Sequence, residues 1–273
     1  MDFTINKYKE LLESLQSAGF FFQTFSESLQ NKIDKAIVLR HDVDLLPQNS
    51  LRFARIQADF GIKGSYYFRA IPESWDEKII KEISELGHEI GYHYETMDQV
   101  SSKFNPDIYR DQGLKFYKEE LIDKAFELFC ENLEKLRELV PVSTICMHGS
   151  PRSKYDNKDL WNKYDYRNLD LIGEPYYDVN FDEVFYLTDT GRRWDGWKVS
   201  IRDKVSQQEE WVKQGLVFHS TNDILKATSL DNFPNKIMFT FHPQRWHDKA
   251  FPWLKELILQ NAKNQVKWFL IKR

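Results

Sequence analysis

Ala36-Ile37-Val38-Leu39-Arg40-His41-Asp42-Val43-Asp44 is an apolar run that ends in a cluster of charged residues. A short apolar run bounded by turn residues reads as a buried strand. Asp42 and Asp44 stand two positions apart, so in a continuing strand both carboxylates leave the same face. Carboxylates held that close repel, and burial makes ionising both of them costlier. A metal ion or a shared proton resolves the conflict, and a pair of solvated turn aspartates is the plain alternative.

A second cluster follows about fifty residues on, in Gly87-His88-Glu89-Ile90-Gly91-Tyr92-His93-Tyr94-Glu95. Ser74-Trp75-Asp76-Glu77 predicts a capping box, and Ile79, Ile80, Ile83 and Leu86 continue a helical stripe. Gly87 is the expected helix stop. A short strand then delivers His93 and Glu95, again two apart. A lone histidine at such a place is more often a hydrogen-bonded core residue than a ligand. Two strand ends carrying the same pairing of metal-competent types weigh against that reading.

These stretches resemble the polysaccharide deacetylases, metal-dependent hydrolases that remove N- or O-acetyl groups from sugars. That family places an aspartate pair at the end of its first strand, one acting as base and one as ligand. A phrase like Gly87-His88-Glu89-Ile90-Gly91 then precedes two ligand histidines four residues apart. The resemblance puts His93 on the first ligand position and Met97, a poor donor for such ions, on the second. The aspartates here are also split by Val43, where the family's pair is adjacent. Met147-His148-Gly149-Ser150-Pro151-Arg152 corresponds to the family's third motif, with His148 where an arginine is usual. His148 is thereby the expected replacement ligand, with Glu95 the alternative. Neighbours on one strand face lie about 6.5–7 Å apart, so Glu95 and His93 converge on one ion only through a bend.

Two later segments fit the same scheme. Lys236-Ile237-Met238-Phe239-Thr240-Phe241-His242-Pro243 is a strand that ends in histidine, and the resemblance gives His242 the role of general acid. Pro243 cannot extend a central strand, so the chain turns where a site residue would be displayed. The glycine-punctuated loop from Tyr186 to Trp197 holds Arg193, Trp194, Asp195 and Trp197. The family has an aspartate there that tunes the catalytic base, and aromatic residues that contact sugar. Asp195 is the matching acid, with Asp189 competing, and Trp194, Trp197 and Arg193 are the expected substrate contacts. A salt-bridged loop with a tryptophan lid is the equal alternative. His219, after Leu216-Val217-Phe218, reads as structural.

The chain has 273 residues and a formal net charge of −4 from 38 basic and 42 acidic side chains. Without a basic footprint it is not expected to bind nucleic acid. Cys130 and Cys146 lack CxxC spacing and read as buried thiols. Residues 1–15 form an amphipathic helix without a signal-peptide core, and no run reaches membrane-span length. A cytoplasmic location is the resulting expectation.

Helical and strand-like stretches alternate throughout. Strands are expected at 36–41, 64–69, 88–93, 142–147, 169–173, 183–187, 216–219 and 236–241, with a last edge strand at 266–271. Helices are expected at 5–17, 48–60, 75–86, 107–139, 158–164, 207–213, 222–228 and 247–262. Such alternation predicts parallel strands with crossover helices. Asp42, His93, His148, Asp195 and His242 recur at strand ends, as catalytic groups do on barrel rims. The expected fold is α/β, an irregular (β/α) barrel, seven-stranded by resemblance, with residues 1–273 as one domain. The expected function is a metal-dependent hydrolase that removes acetyl from an N- or O-acetylated saccharide or sugar precursor. Asp44, His93 and His148 would bind the metal, Asp42 would be the base and His242 the acid, the two aspartates being open to exchange. Zn²⁺ suits these donors best, with Co²⁺, Ni²⁺, Mn²⁺ or Fe²⁺ as substitutes. A hydrolase of another non-peptide C–N bond and a non-catalytic saccharide-binding relic are the rival readings.

Overall fold

Seven short apolar segments become strands in the computed structural model, which describes residues 1–103, 114–149, 155–194 and 205–271. They are β1 Phe21–Gln23, β2 Ala36–Val43, β3 Ser65–Phe68, β4 Glu89–Tyr94, β5 Ile145–Met147, β6 Phe185–Thr188 and β7 Lys236–Phe241. Every pairing is parallel, in the order β5-β4-β3-β2-β7-β6, with β1 beside the first half of β2. The central strand, β2, is buried along its whole length, which is why its sequence is apolar without alternation until the polar end.

The sheet is curled into a half-barrel, and two distances from Asp44 show it. His148 follows β5 and His242 follows β7, four strands away. Strands spaced by about 4.8 Å would separate them by roughly 19 Å in a flat sheet. Instead their Nε2 atoms lie 3.6 and 3.9 Å from the Asp44 carboxylate. Curling gives the sheet an inner face, where Val38, Tyr67, Cys146, Tyr186 and Met238 cluster. The opposite face of β2, with Ile37, Leu39 and Val43, packs into the larger core together with the helices.

The phrase Gly87-His88-Glu89-Ile90-Gly91 builds this architecture. Gly87, at φ +87°, ends the helix Glu77–Glu85 in a left-handed conformation. His88 accepts from the Gly64 amide through Nδ1 (3.1 Å) and donates through Nε2 to the Ala54 carbonyl (2.9 Å). Glu89 accepts from the Ser65 and Thr144 hydroxyls and the Ser26 amide, so it links β4 to its neighbours and to the helix Phe25–Gln30. A Cβ at Gly91 would come within 2.3 Å of the Tyr67 ring, so only glycine lets that ring lie across β4.

Three expected strands, one helix and one helix cap differ, the helix expected at 158–164 being a 3₁₀ helix, Asn157–Asn162. Residues 169–173 form no strand: a 3₁₀ turn occupies Tyr166–Leu169, and Gly173 makes only a single bridge to Thr144. Residues 216–219 are irregular, and 266–271 complete a helix, Ala250–Ile271, that no glycine or proline interrupts after its first turn. Asp76 caps the helix Glu77–Glu85, because Ser74 donates to the Val43 carbonyl at the end of β2. Residues 107–113 of the expected long helix lie outside the described residues, which resume at Leu114–Arg137. No helix among the described residues is long and apolar enough to cross a membrane.

Candidate metal centre

The C-terminal rim of the half-barrel gathers polar side chains from six strand ends. Asp44 follows β2, and its Oδ1 is buried without a hydrogen-bond partner. His93 Nε2, from β4, lies 3.6 Å from that oxygen, and so does His148 Nε2 from just past β5. The other nitrogen of each histidine faces an oxygen, in a hydrogen bond for His93 and in a close ion-pair contact for His148. His93 Nδ1 donates to the Cys146 carbonyl at 2.9 Å, and His148 Nδ1 stands 3.1 Å from Glu95 Oε2. The carbonyl opposite His93 Nδ1 requires the proton there and leaves Nε2 as a bare lone pair, while the Glu95 carboxylate beside His148 Nδ1, off the hydrogen-bond direction, favours the same tautomer for that ring.

In these tautomers three acceptor atoms face one another. Separations of 3.6 Å are too long for hydrogen bonds. Ligands about 2.0 Å from a tetrahedral zinc ion stand about 3.3 Å apart, close to this spacing. The orphaned Asp44 oxygen and two imidazoles fit a divalent ion of borderline softness. Burial lowers the pKa of His93 to about 4, with Asp42 opposing, so the ring is neutral and ligand-competent near neutrality. For Asp44, burial works upward, but His148, His242 and His93 together hold it below the usual carboxylate range.

Asp42 lies beside this group, 3.8 Å from His93 Nε2 through Oδ2. Arg40, two residues earlier on the same strand face, grips it with Nε to Oδ1 (2.9 Å) and Nη2 to Oδ2 (2.7 Å). Both are sealed inside the sheet. Burial works to raise the Asp42 pKa, and the guanidinium outweighs it, leaving the carboxyl well below its ordinary value.

Glu95 stands behind His148 and is not set beside His93. Arg69 holds its carboxylate with Nε at 3.1 Å and Nη2 at 2.6 Å, and the same arginine donates to the Asp44 carbonyl. Arrangements of this kind, carboxylate to imidazole to metal, fix the ring and raise ligand basicity.

On the other side, His242 presents Nε2 3.9 Å from Asp44 Oδ2. Its Nδ1 donates to Asp189 Oδ1 at 2.6 Å, and its backbone amide donates to Oδ2 at 2.8 Å. Trp246 Nε1 reaches Oδ2 at 2.7 Å and Arg245 reaches Oδ1 at 3.3 Å. Burial and Arg245 lower the His242 pKa, yet the Asp189 carboxylate raises it above the histidine norm. Gln244 donates to Asp44 Oδ2 at 3.0 Å and closes the ring of contacts.

Asp189 is thus the acid attached to His242, while Asp195 and Trp197 lie outside the described residues. The signal was present: Asp189 directly follows β6, whereas Asp195 comes after a glycine turn. Arg40 was also legible from its two-residue spacing to Asp42. Trp194 is not displayed for a sugar. It is 1% exposed, packs against Phe3, Phe239, Phe241 and Trp246, and donates Nε1 to Thr221. Arg193 is exposed and lies 3.3 Å from His219 Nδ1.

No family model matches the sequence, and no curated protein does. Among solved structures, the chain is similar to a carbohydrate esterase family 4 pseudoenzyme from Bacillus anthracis. Identity is 11% over 87% of this chain and 63% of that one, with a TM-score of 0.42. A family 4 carbohydrate esterase from the same organism gives 10% identity over 94% and 86%, with a TM-score of 0.39. Bacillus subtilis PdaA, another family 4 carbohydrate esterase, gives 12% over 93% and 84%, with a TM-score of 0.35. The chain spans less than two thirds of the pseudoenzyme's length. At these identities and scores, the roles of residues rest on their own geometry.

Proposed function

We propose that this chain is a divergent polysaccharide-deacetylase-type hydrolase that removes an acetyl group from an N- or O-acetylated saccharide or sugar precursor. The observation that carries the reading is the meeting of three ligand-competent atoms, Asp44 Oδ1, which is buried without a hydrogen-bond partner, His93 Nε2 and His148 Nε2. Those three residues would hold the divalent ion, Zn²⁺ by preference. Such an ion, when bound, acidifies water and polarises an acyl carbonyl.

The chain's own groups supply the proton transfers. Asp42 takes the proton of the attacking water. Arg40 keeps it ionised and aimed, at some cost in basicity. His242, held by Asp189 with Nε2 toward the centre, gives its proton to the departing nitrogen or oxygen as the acyl bond breaks. A protonated leaving group is needed because an amide anion is too basic to depart. Arg193 and Trp197 are the candidate saccharide contacts.

The test is acetate release by zinc-loaded protein from a panel of N- and O-acetylated saccharides, with small cyclic and linear amides alongside. Acetate from saccharides, abolished by a chelator and restored by zinc, is the expected result. Turnover of the amides alone would replace the deacetylase reading with another non-peptide C–N hydrolase. The Arg40 grip on Asp42 favours one second reading, a metal-holding relic that binds saccharide without turnover. Saccharide binding with no acetate release under any metal would establish that reading instead.

A further inference from the structure

The helix Ala250–Ile271 is docked through a mixed side on which Trp253 and Leu257 are half-buried beside polar residues. Gln260 is buried, Asn264 donates to the Gly191 carbonyl at 3.0 Å, and Trp253 donates Nε1 to the Asp2 carbonyl at 2.7 Å. Arg192, at 4.8 Å from the Trp253 ring, completes the seat. The opposite side carries Phe251 (78% exposed), Leu254 (49%), Ile258 (60%) and Leu259 (43%). These positions follow i, i+3, i+7, i+8 spacing, the stripe that a globular helix normally turns to its core.

Charge indicates what covers that stripe. Residues 250–273 carry Lys255, Lys263, Lys267, Lys272 and Arg273 against Glu256 alone, a net of +4 in a chain whose total is −4. Glu256 lies near Arg192 and His247, while Lys255 and Lys263 are exposed and have no acidic partner among the described residues. A basic helix with an outward apolar stripe has the make-up of helices that lie in the plane of an anionic membrane surface. A second copy of the same helix would bring like charge against like charge.

We infer that the helix Ala250–Ile271 is a docking surface for anionic phospholipid, seating its Phe251–Leu259 stripe at the level of the headgroups. The Gly191 turn on which the helix rests is two residues from Asp189, so the rim of the candidate centre is held beside the bilayer. The inference needs neither metal nor substrate and stands apart from the proposed chemistry.

Flotation of the full chain with vesicles tests it, using phosphatidylcholine alone and phosphatidylcholine mixed with phosphatidylglycerol. Wild-type protein should float with the mixed vesicles, weakly with the neutral ones, and less at high salt. Lys255→Glu with Lys263→Glu should weaken partitioning by more than roughly 5-fold per lysine removed. Leu254→Asp with Ile258→Asp should abolish it while the melting temperature holds, since neither side chain contributes to the docked face. Three results would overturn the inference: no flotation with mixed vesicles, flotation indifferent to both variants, or a solution dimer that Leu254→Asp with Ile258→Asp dissociates in a protein that never floats.

Discussion

Replacing Asp189 by asparagine tests the histidine end of the site without any substrate. Asp189 Oδ1 accepts from His242 Nδ1, and Oδ2 accepts from both the His242 amide and Trp246 Nε1. Asparagine has one oxygen for these two sets. If the oxygen stays with the amide and the tryptophan, its NH₂ faces Nδ1, and the imidazole must give up the Nδ1 proton. If it stays with Nδ1, the two other donors are left unmet, at about 1–3 kcal/mol each. In either arrangement the buried charge partner is gone, a loss that typically costs about 3–5 kcal/mol. At about 2–4 °C per kcal/mol for a chain of this size, the melting temperature should fall by roughly 10 °C. The His242 pKa should drop markedly, because burial and Arg245 are then opposed only by the Asp44 carboxylate. NMR titration of the His242 ring reads this directly, with Asp195→Asn as a control expected to leave it unchanged. A His242 titration that is unaltered in Asp189→Asn, or that shifts in Asp195→Asn instead, would refute the assignment.

Acid should destabilise the metal-free protein well before its carboxylates protonate. Burial depresses His41 to about 3 and His93 to about 4, so the stability they contribute is complete above about 6.5 and is lost as pH falls below it. His41 alone removes about 3 kcal/mol between pH 6.5 and pH 4, at 1.36 kcal/mol per unit. Urea midpoints across that range should fall steeply, and flat midpoints would count against the buried neutral rings. Glu95→Gln should weaken zinc binding by roughly 10–100-fold through loss of the charged contact behind His148, measured by competition with a chromophoric chelator. An unchanged affinity would remove Glu95 from the support of the site. Trp194→Ala should cost about 3–5 kcal/mol in chemical unfolding while leaving saccharide affinity intact, as expected of a core ring. A stable variant that loses saccharide binding would return Trp194 to the substrate contacts.

The parts of this fold that the sequence disclosed are those governed by local chemistry. β2 is legible because a strand buried on both faces must be apolar until it reaches the rim. Gly87 is legible because a left-handed helix stop favours glycine. His93, His148 and His242 stand at strand ends, and curling alone brings them to Asp44. What stayed hidden depends on partners far along the chain. β1 is three residues long and exists because β2 offers an edge at Ala36–Val38. Residues 266–271 are apolar enough for a strand, and only the uninterrupted helix before them decides otherwise. Trp194 looked like a sugar platform because tryptophan serves surfaces and cores alike, and the partners that enclose it come from residues 3 and 239–246. The capping role passed from Ser74 to Asp76 because Ser74 is engaged by Val43, a contact invisible from spacing.

The central claim is that Asp44, His93 and His148 hold one metal ion between them. Zinc content after equilibrium dialysis, determined by plasma mass spectrometry on wild type and on Asp44→Asn, His93→Ala and His148→Ala, tests it directly, with circular dichroism confirming that each variant is folded. The account predicts a single ion per chain in wild type and none retained by any of the three variants. A folded His148→Ala protein that keeps its zinc, or a wild-type chain that binds none, would contradict it.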